Sequence, residues 1–364
     1  MFSFRNIDDF IPHRFETIGM LKGKRWYIDK NEFVSGLFKP KRYEFGDKKV
    51  FCANHYGELV GYILALRSGI PVCKAELAHL SKYYKNIHKF RNNGTPEEKD
   101  GCITYSKLKD GDMLKHGKLI VDIFSSKQRE RFNSLTPEDS FINKADNLEV
   151  VLSAVEDRTR AFYEEKSDIP NDYVEGKVKQ NKLDTIQMIV YDCLYGNNDR
   201  HDENWGMLVN DTDISLYPLY DNERVLGLYE NQNIIEGALK SDNVEKTSEE
   251  ILFSRMRVPG DKSKHSNYKD VLEYLMQNYT DETELALKKS LTNNTPADVE
   301  RILKECEGLP ECYVEFGTRM YKSRYEFAKG LYKNKKINYS TPLELPKTYT
   351  AFSTYGKKTS GEGR

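Results

Sequence analysis

LYGNNDRHDENWGMLVNDTDISLYPLYD, residues 194–221, is the stretch on which the fold of this chain turns. Residues 183–195, which lead into it, place apolar side chains at three- and four-residue intervals, the pattern of a helix that buries one face. Tyr195 and Gly196 close that helix. Residues 197–204 are then asparagines, acids, one arginine and one histidine without a single apolar side chain. So polar a loop directly behind an apolar helix suggests a site. A short apolar strand follows at 205–209, then a turn at 210–213 and a return strand at 214–220. A hairpin of that length carries its far end back beside its beginning, so Asp221 is expected near Asn204 and Asp199.

That arrangement is what phosphoryl transfer asks for. One carboxylate accepts or orients the proton of the attacking hydroxyl, while an asparagine and a second carboxylate hold magnesium against the phosphates. Magnesium prefers hard oxygen ligands and keeps water and phosphate oxygens in the rest of its shell, so two protein ligands suffice. In the catalytic loop of protein kinases an Asp precedes an Asn by five residues, and Asp199 and Asn204 have that spacing. Taken singly, each of these residues reads as a turn former or helix cap. Only the spacing and the hairpin together make them a constellation.

With those residues in place, the sequence resembles the HipA-like kinases, whose catalytic loop reads GNxDRHxxN, here GNNDRHDEN at 196–204, and continues to a metal-binding Asp, here PLYD at 218–221. The resemblance implies an α+β, bilobal protein-kinase-like fold with a small strand-rich N-lobe and a larger helical C-lobe. It makes Asp199 the catalytic Asp, and Asn204 and Asp221 the magnesium ligands. LFKP at 37–40 falls where the family has its ATP-binding lysine, so Lys39 would contact the phosphates and Glu58 would orient it. TIGMLKG at 17–23 lies where a phosphate-covering loop belongs, with Gly19 and Gly23, and the hinge that touches adenine falls near Ser106 and Leu108. Asp221, Asn222 and Glu223 stand in place of the DFG triplet of ordinary protein kinases, which removes the phenylalanine of their switch. The implied activity is serine/threonine protein kinase with ATP and Mg2+, including autophosphorylation at Thr17 or a neighbouring hydroxyl. Longer family members carry a further N-terminal subdomain, for which this chain has hardly any room.

The division expected along the chain is an N-lobe over 1–108, a helical C-lobe over 109–338 and a flexible tail over 339–364. In the first part, residues 25–29 and 33–39 read as a hairpin, 56–66 as a helix stopping at Ser68 and Gly69, 70–77 as extended, 92–96 as a loop and 102–108 as a strand. Asp110, Gly111 and Asp112 mark the crossing. In the second part, 148–166, 183–195 and 312–335 read as helices, and Thr295 with Pro296 as a capped helix start. Arg200 and His201 are read as residues that hold the loop by packing and hydrogen bonds, and Cys193 as core. Glu223 is left open between a third metal contact and a solvated acid.

Composition bounds the alternatives. The 364 residues are 38% hydrophobic and 31% charged, with a mean hydropathy of −0.72, which describes a globular chain with a well-solvated surface. Its formal charge of −1 gives no global field for nucleic acid. No apolar run approaches a membrane span and the N-terminus has no secretory pattern, so the expected compartment is the cytoplasm. The six cysteines are scattered without metal-ligand spacing and are expected to be reduced. The expected partner is a protein with a Ser/Thr hydroxyl, with an antitoxin-like regulatory protein as a candidate and neither nucleic acid nor membrane. Two competing functions remain: a lipid or small-molecule kinase, because phosphatidylinositol-kinase-like enzymes use a related DRHxxN loop, and a catalytically silent nucleotide-binding regulator. The intact Asp199, Asn204 and Asp221 argue against silence.

Overall fold

In the computed structural model, residues 1–12, 24–41, 43–44, 50–83, 97–133, 147–166, 169–259 and 265–333 are described. Thr17, Gly19 and Gly23, the loop at 92–96 and the tail at 339–364 lie outside them. The described residues form the expected α+β architecture, strand-rich in the first third and helical beyond.

The N-terminal region is built on a six-stranded sheet in the order β1-β7-β8-β4-β3-β2. β1 is Arg5–Asn6, β2 Ile11–Pro12, β3 Arg25–Asp29, β4 Val34–Pro40, β7 Ala75–Tyr83 and β8 Glu97–Tyr105. A separate two-stranded pair, β5 (Tyr43–Glu44) and β6 (Val50–Phe51), lies between β4 and the first helix in sequence. The expected hairpin is β3–β4, antiparallel, with Arg25 opposite Phe38 and Asp29 opposite Val34. β4 also pairs with β8, placing Lys39 opposite Cys102. Successive residues of a strand point to opposite faces. Phe38 therefore enters a core with Ile7, Phe10, Tyr27, Leu80, Ile103 and Tyr105, while Lys39 turns to the other face. Gly101 makes room there, since a Cβ on it would lie 2.3 Å from the Lys39 carbonyl.

Helix α1 (Asn54–Arg67) starts earlier than expected and stops where expected, with Ser68 as cap and Gly69 at φ 68°. It belongs to the N-terminal region in sequence but to the helical core in packing. Tyr56, Leu59, Val60, Leu64 and Ala65 join the large cluster formed by the C-terminal helices.

After Tyr105 the chain runs through 106–112 to β9 (Met113–His116), α2 (Gly117–Asn133), α3 (Leu148–Glu164) and α4 (Asn171–Tyr195). α4 starts well before residue 183 because its first turns are polar and exposed; apolar periodicity reveals only the buried half. The hairpin behind the catalytic loop is present as β10 (Gly206–Val209) and β11 (Ile214–Leu216). β9 adds to the outer side of β10, a third strand that was not expected. The return strand ends at Leu216 instead of Tyr220. Pro218 has no N–H for the ladder, and Leu219 instead pairs with Val72 beside α1, its N–H donating to the Pro71 carbonyl at 2.9 Å.

A 3-10 turn at Val225–Gly227 leads to α5 (Gln232–Lys240), α6 (Val244–Ile251), α7 (Tyr268–Asn278), α8 (Thr280–Asn293), α9 (Pro296–Lys304) and α10 (Glu311–Lys333). Thr295 caps α9 as expected, in a capping box closed by Asp298. α10 packs against the end of α4, where Tyr321 stacks on Tyr195 at 5.2 Å. Arg324, buried, donates to the Cys193 and Leu252 carbonyls and lies 4.1 Å over the Tyr268 ring. Cys193 is core, 1% exposed. No described helix is long and apolar enough to cross a membrane.

Candidate active site

The end of α4 delivers the candidate catalytic loop, residues 197–204. Gly196 adopts φ 71°, the left-handed conformation in which a helix is turned off with least strain. Asp192, in the last turn, is buried and accepts from Asn197 Nδ2 at 2.9 Å and from Arg200 Nε and Nη2 at 3.0 and 3.1 Å. Arg200 is 1% exposed and spends its remaining donors on two other segments. Nη1 donates to the carbonyls of Asn204 at 2.9 Å and Tyr220 at 2.6 Å, and Nη2 to Asn222 Oδ1 at 2.7 Å. One guanidinium thus ties the helix end, the catalytic loop and the residues around Asp221. Burial alone would lower the pKa of Arg200, but the Asp192 charge outweighs it and the pKa is raised. Arg200 holds the loop as expected, and it also fixes the far end of the hairpin beside Asn204.

Within the loop, the Asp199 carbonyl accepts from Asn204 Nδ2 and from the His201 N–H, both at 2.8 Å. That use of Nδ2 leaves Asn204 Oδ1 as the oxygen available to a cation. His201 Nδ1 accepts from the Glu203 N–H at 3.2 Å, a local bond that shapes the loop. The Asp199 side chain is 25% exposed and faces Arg224, whose Nε lies 3.2 Å from Oδ2 without the alignment of a hydrogen bond. Arg224 also lies 4.2 Å over the Tyr229 ring. Nothing in the sequence reading singled out Arg224 or Asp192. An acid on the buried face of an apolar helix is the signal that points to Asp192.

The far end of the hairpin meets α1. Asp221 has φ 55°, a strained backbone for a residue other than glycine. Asn222 and Glu223 run against α1 at Gly57 and Gly61. A Cβ on Gly57 would sit 2.1 Å from the Glu223 carbonyl oxygen, and one on Gly61 2.6 Å from Asn222 Cβ. Positions four apart share one helix face, so the two glycines form a flat seat for this segment. That seat brings Glu58 to it, with Oε2 accepting from the Asn222 N–H at 3.2 Å. Glycine weakens a helix interior by about 1 kcal/mol relative to alanine, and two at this spacing are a readable sign of close approach.

Lys39, 3% exposed, donates to Glu58 Oε1 in a short ion pair and to Asp221 Oδ1 at 2.6 Å. Burial pushes its pKa down, yet Asp221, Glu58 and Glu223 together hold it well above the ordinary value. Asp221 is held well below the usual carboxylate range, burial being overcome by Lys39 and Lys24. Lys24 is a second cation that sequence did not single out, 3.9 Å from Asp221 and 4.0 Å from Glu223. Glu223 is not solvated: it is 4% exposed, and oxygens of Glu58, Asp221 and Glu223 lie within 4.8 Å of one another. Between the two acid readings of Glu223, burial removes the solvated one.

Ser106 and Leu108 lie on the segment between β8 and β9. Ser106 donates its N–H to the Ser35 carbonyl at 2.8 Å and accepts from the Leu108 N–H at 3.2 Å through Oγ. The Tyr217 hydroxyl accepts from the Lys107 N–H at 2.9 Å. Tyr217, just beyond the hairpin, therefore anchors this segment to the loop that carries Asp221.

No protein-family model matches the sequence, and neither does any curated protein. Solved structures do match. The proinflammatory kinase CtkA of Helicobacter pylori superposes with a TM-score of 0.62 at 17% identity, over 91% of this chain and 98% of that one. HipA of Shewanella oneidensis, solved with HipB and operator DNA, gives a TM-score of 0.47 at 10% identity, over 89% of this chain and 69% of that one. The first of these shows that the chain has a kinase fold.

Proposed function

We propose that this kinase-fold chain is an ATP- and Mg2+-dependent enzyme of HipA-like type that transfers the terminal phosphoryl group of ATP to serine or threonine hydroxyls of proteins, itself included. The observation that carries this reading is the buried Lys39 ammonium held between Glu58 and Asp221, beside a loop that offers Asp199 at its surface. A lysine enclosed in that way is a preformed phosphate anchor.

The oxygens of Asp221, Asn204 and Glu223 are hard donors of the kind magnesium takes, and the partnerless Glu223 Oε2 is a specific sign that the donor set fits a cation. Mg2+, when bound, would offset the negative charge of the phosphates as the phosphoryl group transfers. Lys39 would hold the phosphates, and Glu58 would keep Lys39 in place. Asp199 would accept the proton as the substrate oxygen forms its bond to the γ-phosphorus and the bond to the β,γ-bridging oxygen breaks, releasing ADP. Arg224 would position the Asp199 carboxylate. In this reading residues 1–108 form the nucleotide-cradling lobe and 109–338 the catalytic lobe.

The test is incubation of the purified protein with Mg2+ and γ-labelled ATP, alone, with host lysate and with phosphoinositide vesicles. Phosphoserine or phosphothreonine in protein is the expected product. Label that accumulates only in lipid moves the enzyme to the lipid-kinase class. Nucleotide binding without label in either fraction makes the chain a silent nucleotide-binding regulator.

A further inference from the structure

Glu223 is 4% exposed, yet its Oε2 has no hydrogen-bond partner. A buried polar atom left unpaired costs about 1–3 kcal/mol, and more when it is charged. The position is built with care, because the Glu223 carbonyl rests where only a glycine at residue 57 lets it lie. The other acids of the cluster are occupied. Glu58 gives Oε1 to Lys39 and Oε2 to the Asn222 N–H, and Asp221 Oδ1 is shared between Lys39 and Lys24. Oε1 of Glu223 has Lys24 only at 4.0 Å, the outer limit of an ion pair. Three carboxylates thus face two ammonium groups, one negative charge in excess in a buried place. Such an excess is relieved by a bound cation or by a proton on one of the carboxylates.

We propose that Glu223 is a direct ligand of the divalent cation held by Asp221, its Oε2 adding a third protein oxygen to those of Asp221 and Asn204. This rests on the kinase reading of the same site. Glu58 stays with Lys39, since both its oxygens are already used. A second carboxylate on the ion changes the order of events: the cation binds to the nucleotide-free protein, instead of arriving only as its nucleotide complex. Magnesium tolerates this set because two carboxylates still leave room for waters and phosphate oxygens around an octahedral ion.

The test is Mn2+ titration of nucleotide-free protein followed by electron paramagnetic resonance, for wild type, Glu223→Gln and Asp221→Asn. Gln keeps the shape of Glu223 and removes its charge. Expected are one Mn2+ site in wild type, affinity weakened by about tenfold or more in Glu223→Gln, and loss of the site in Asp221→Asn. The melting temperature of Glu223→Gln in EDTA should be no lower than that of wild type, because the substitution relieves the charge excess. If Glu223→Gln binds Mn2+ like wild type while Asp221→Asn does not, the Glu223 inference falls and the kinase reading stands. If neither substitution changes binding, the metal assignment of the kinase reading falls as well. Anomalous scattering from Mn2+ soaked into wild-type crystals needs no variant. A peak within coordination distance of a Glu223 oxygen supports the inference, and one held by Asp221 without Glu223 overturns it.

Discussion

Two buried ionic clusters lie a few residues apart in this molecule, and they differ in how completely they are closed. Around Arg200, the guanidinium donates to Asp192, to two carbonyls and to an asparagine side chain, and its charge is matched by one carboxylate. Around Lys39, three carboxylates meet two ammonium groups, and one oxygen has no partner. In the first cluster the guanidinium and its carboxylate are fully matched when the chain has folded. The second is finished only when something enters it. An unmatched buried carboxylate oxygen separates the cluster around Lys39, to which the proposed chemistry is assigned, from the one around Arg200.

The largest effect expected lies just outside both clusters. Asp199→Asn should slow phosphoryl transfer by about 10²–10⁴-fold by removing the proton acceptor, with nucleotide affinity and melting temperature close to wild type because the partly exposed side chain keeps its shape. Steady-state rates and a melting curve on the same preparation decide this. Wild-type turnover in that variant would remove Asp199 from its role.

Next in size, Arg200→Ala should lower stability by about 3–5 kcal/mol, the cost of leaving Asp192 buried without its partner. Urea denaturation measures it. A loss below 1 kcal/mol would mean the closed cluster does not hold the loops together, and the contrast with the open cluster would fail.

Lys39→Met should lower stability as well, because it leaves Glu58 buried without its partner, but it should discriminate among ligands. Losing a charge-assisted contact of about 1.5–3 kcal/mol predicts a fall of about 10- to 100-fold in ATP and ADP affinity, with adenosine affinity changed far less. Calorimetry with the three ligands makes the comparison. Equal weakening of all three would turn Lys39 into a residue of the fold, like Arg200.

At neutral pH the smallest effect, one that grows only as pH falls, concerns His55 on α1, buried between Phe4, Phe51 and Tyr56 with neither ring nitrogen hydrogen-bonded. Burial, and then the nearby charge of Lys41, lower its pKa from 6.5 to about 3. The unfolded chain therefore takes up the proton first as pH falls. The stability tied to neutral His55 is complete above pH 6.5 and is lost towards pH 3, by about 1.4 kcal/mol per pH unit. Unfolding free energies measured across that range should be less steep with pH in His55→Phe by that amount. An unchanged slope would show that the ring is protonated in the folded state.

The loop at 196–204 stood out as a candidate site because phosphoryl transfer demands particular side chains at fixed spacing, and GNNDRHDEN supplies them within nine residues. The β3–β4 hairpin and the Thr295 cap were legible because each is settled by neighbours in sequence. β9 was not, because its partner β10 lies some 90 residues on and four residues, MLKH, carry no pattern of their own. The early end of the return strand was marked by Pro218, and the seat for Asn222 and Glu223 by Gly57 and Gly61. Those marks acquire meaning only once the segment that needs them is known. Charge balance in the Lys39 cluster is a property of three dimensions, and no reading of spacing contains it.

The seat on α1 also limits how this molecule can be switched. In kinases, activity follows whether the helix glutamate stands beside the lysine. Here that helix is gripped from behind: Gly57 and Gly61 lie flush on the Asn222–Glu223 backbone, and the Tyr191 hydroxyl donates to the Gly61 carbonyl at 2.8 Å. Rotating α1 to withdraw Glu58 would drive side chains into backbone and break that bond. The helix behaves as a fixed jaw, and in the proposed kinase control over turnover would be left to whatever gains or is denied entry to the cleft.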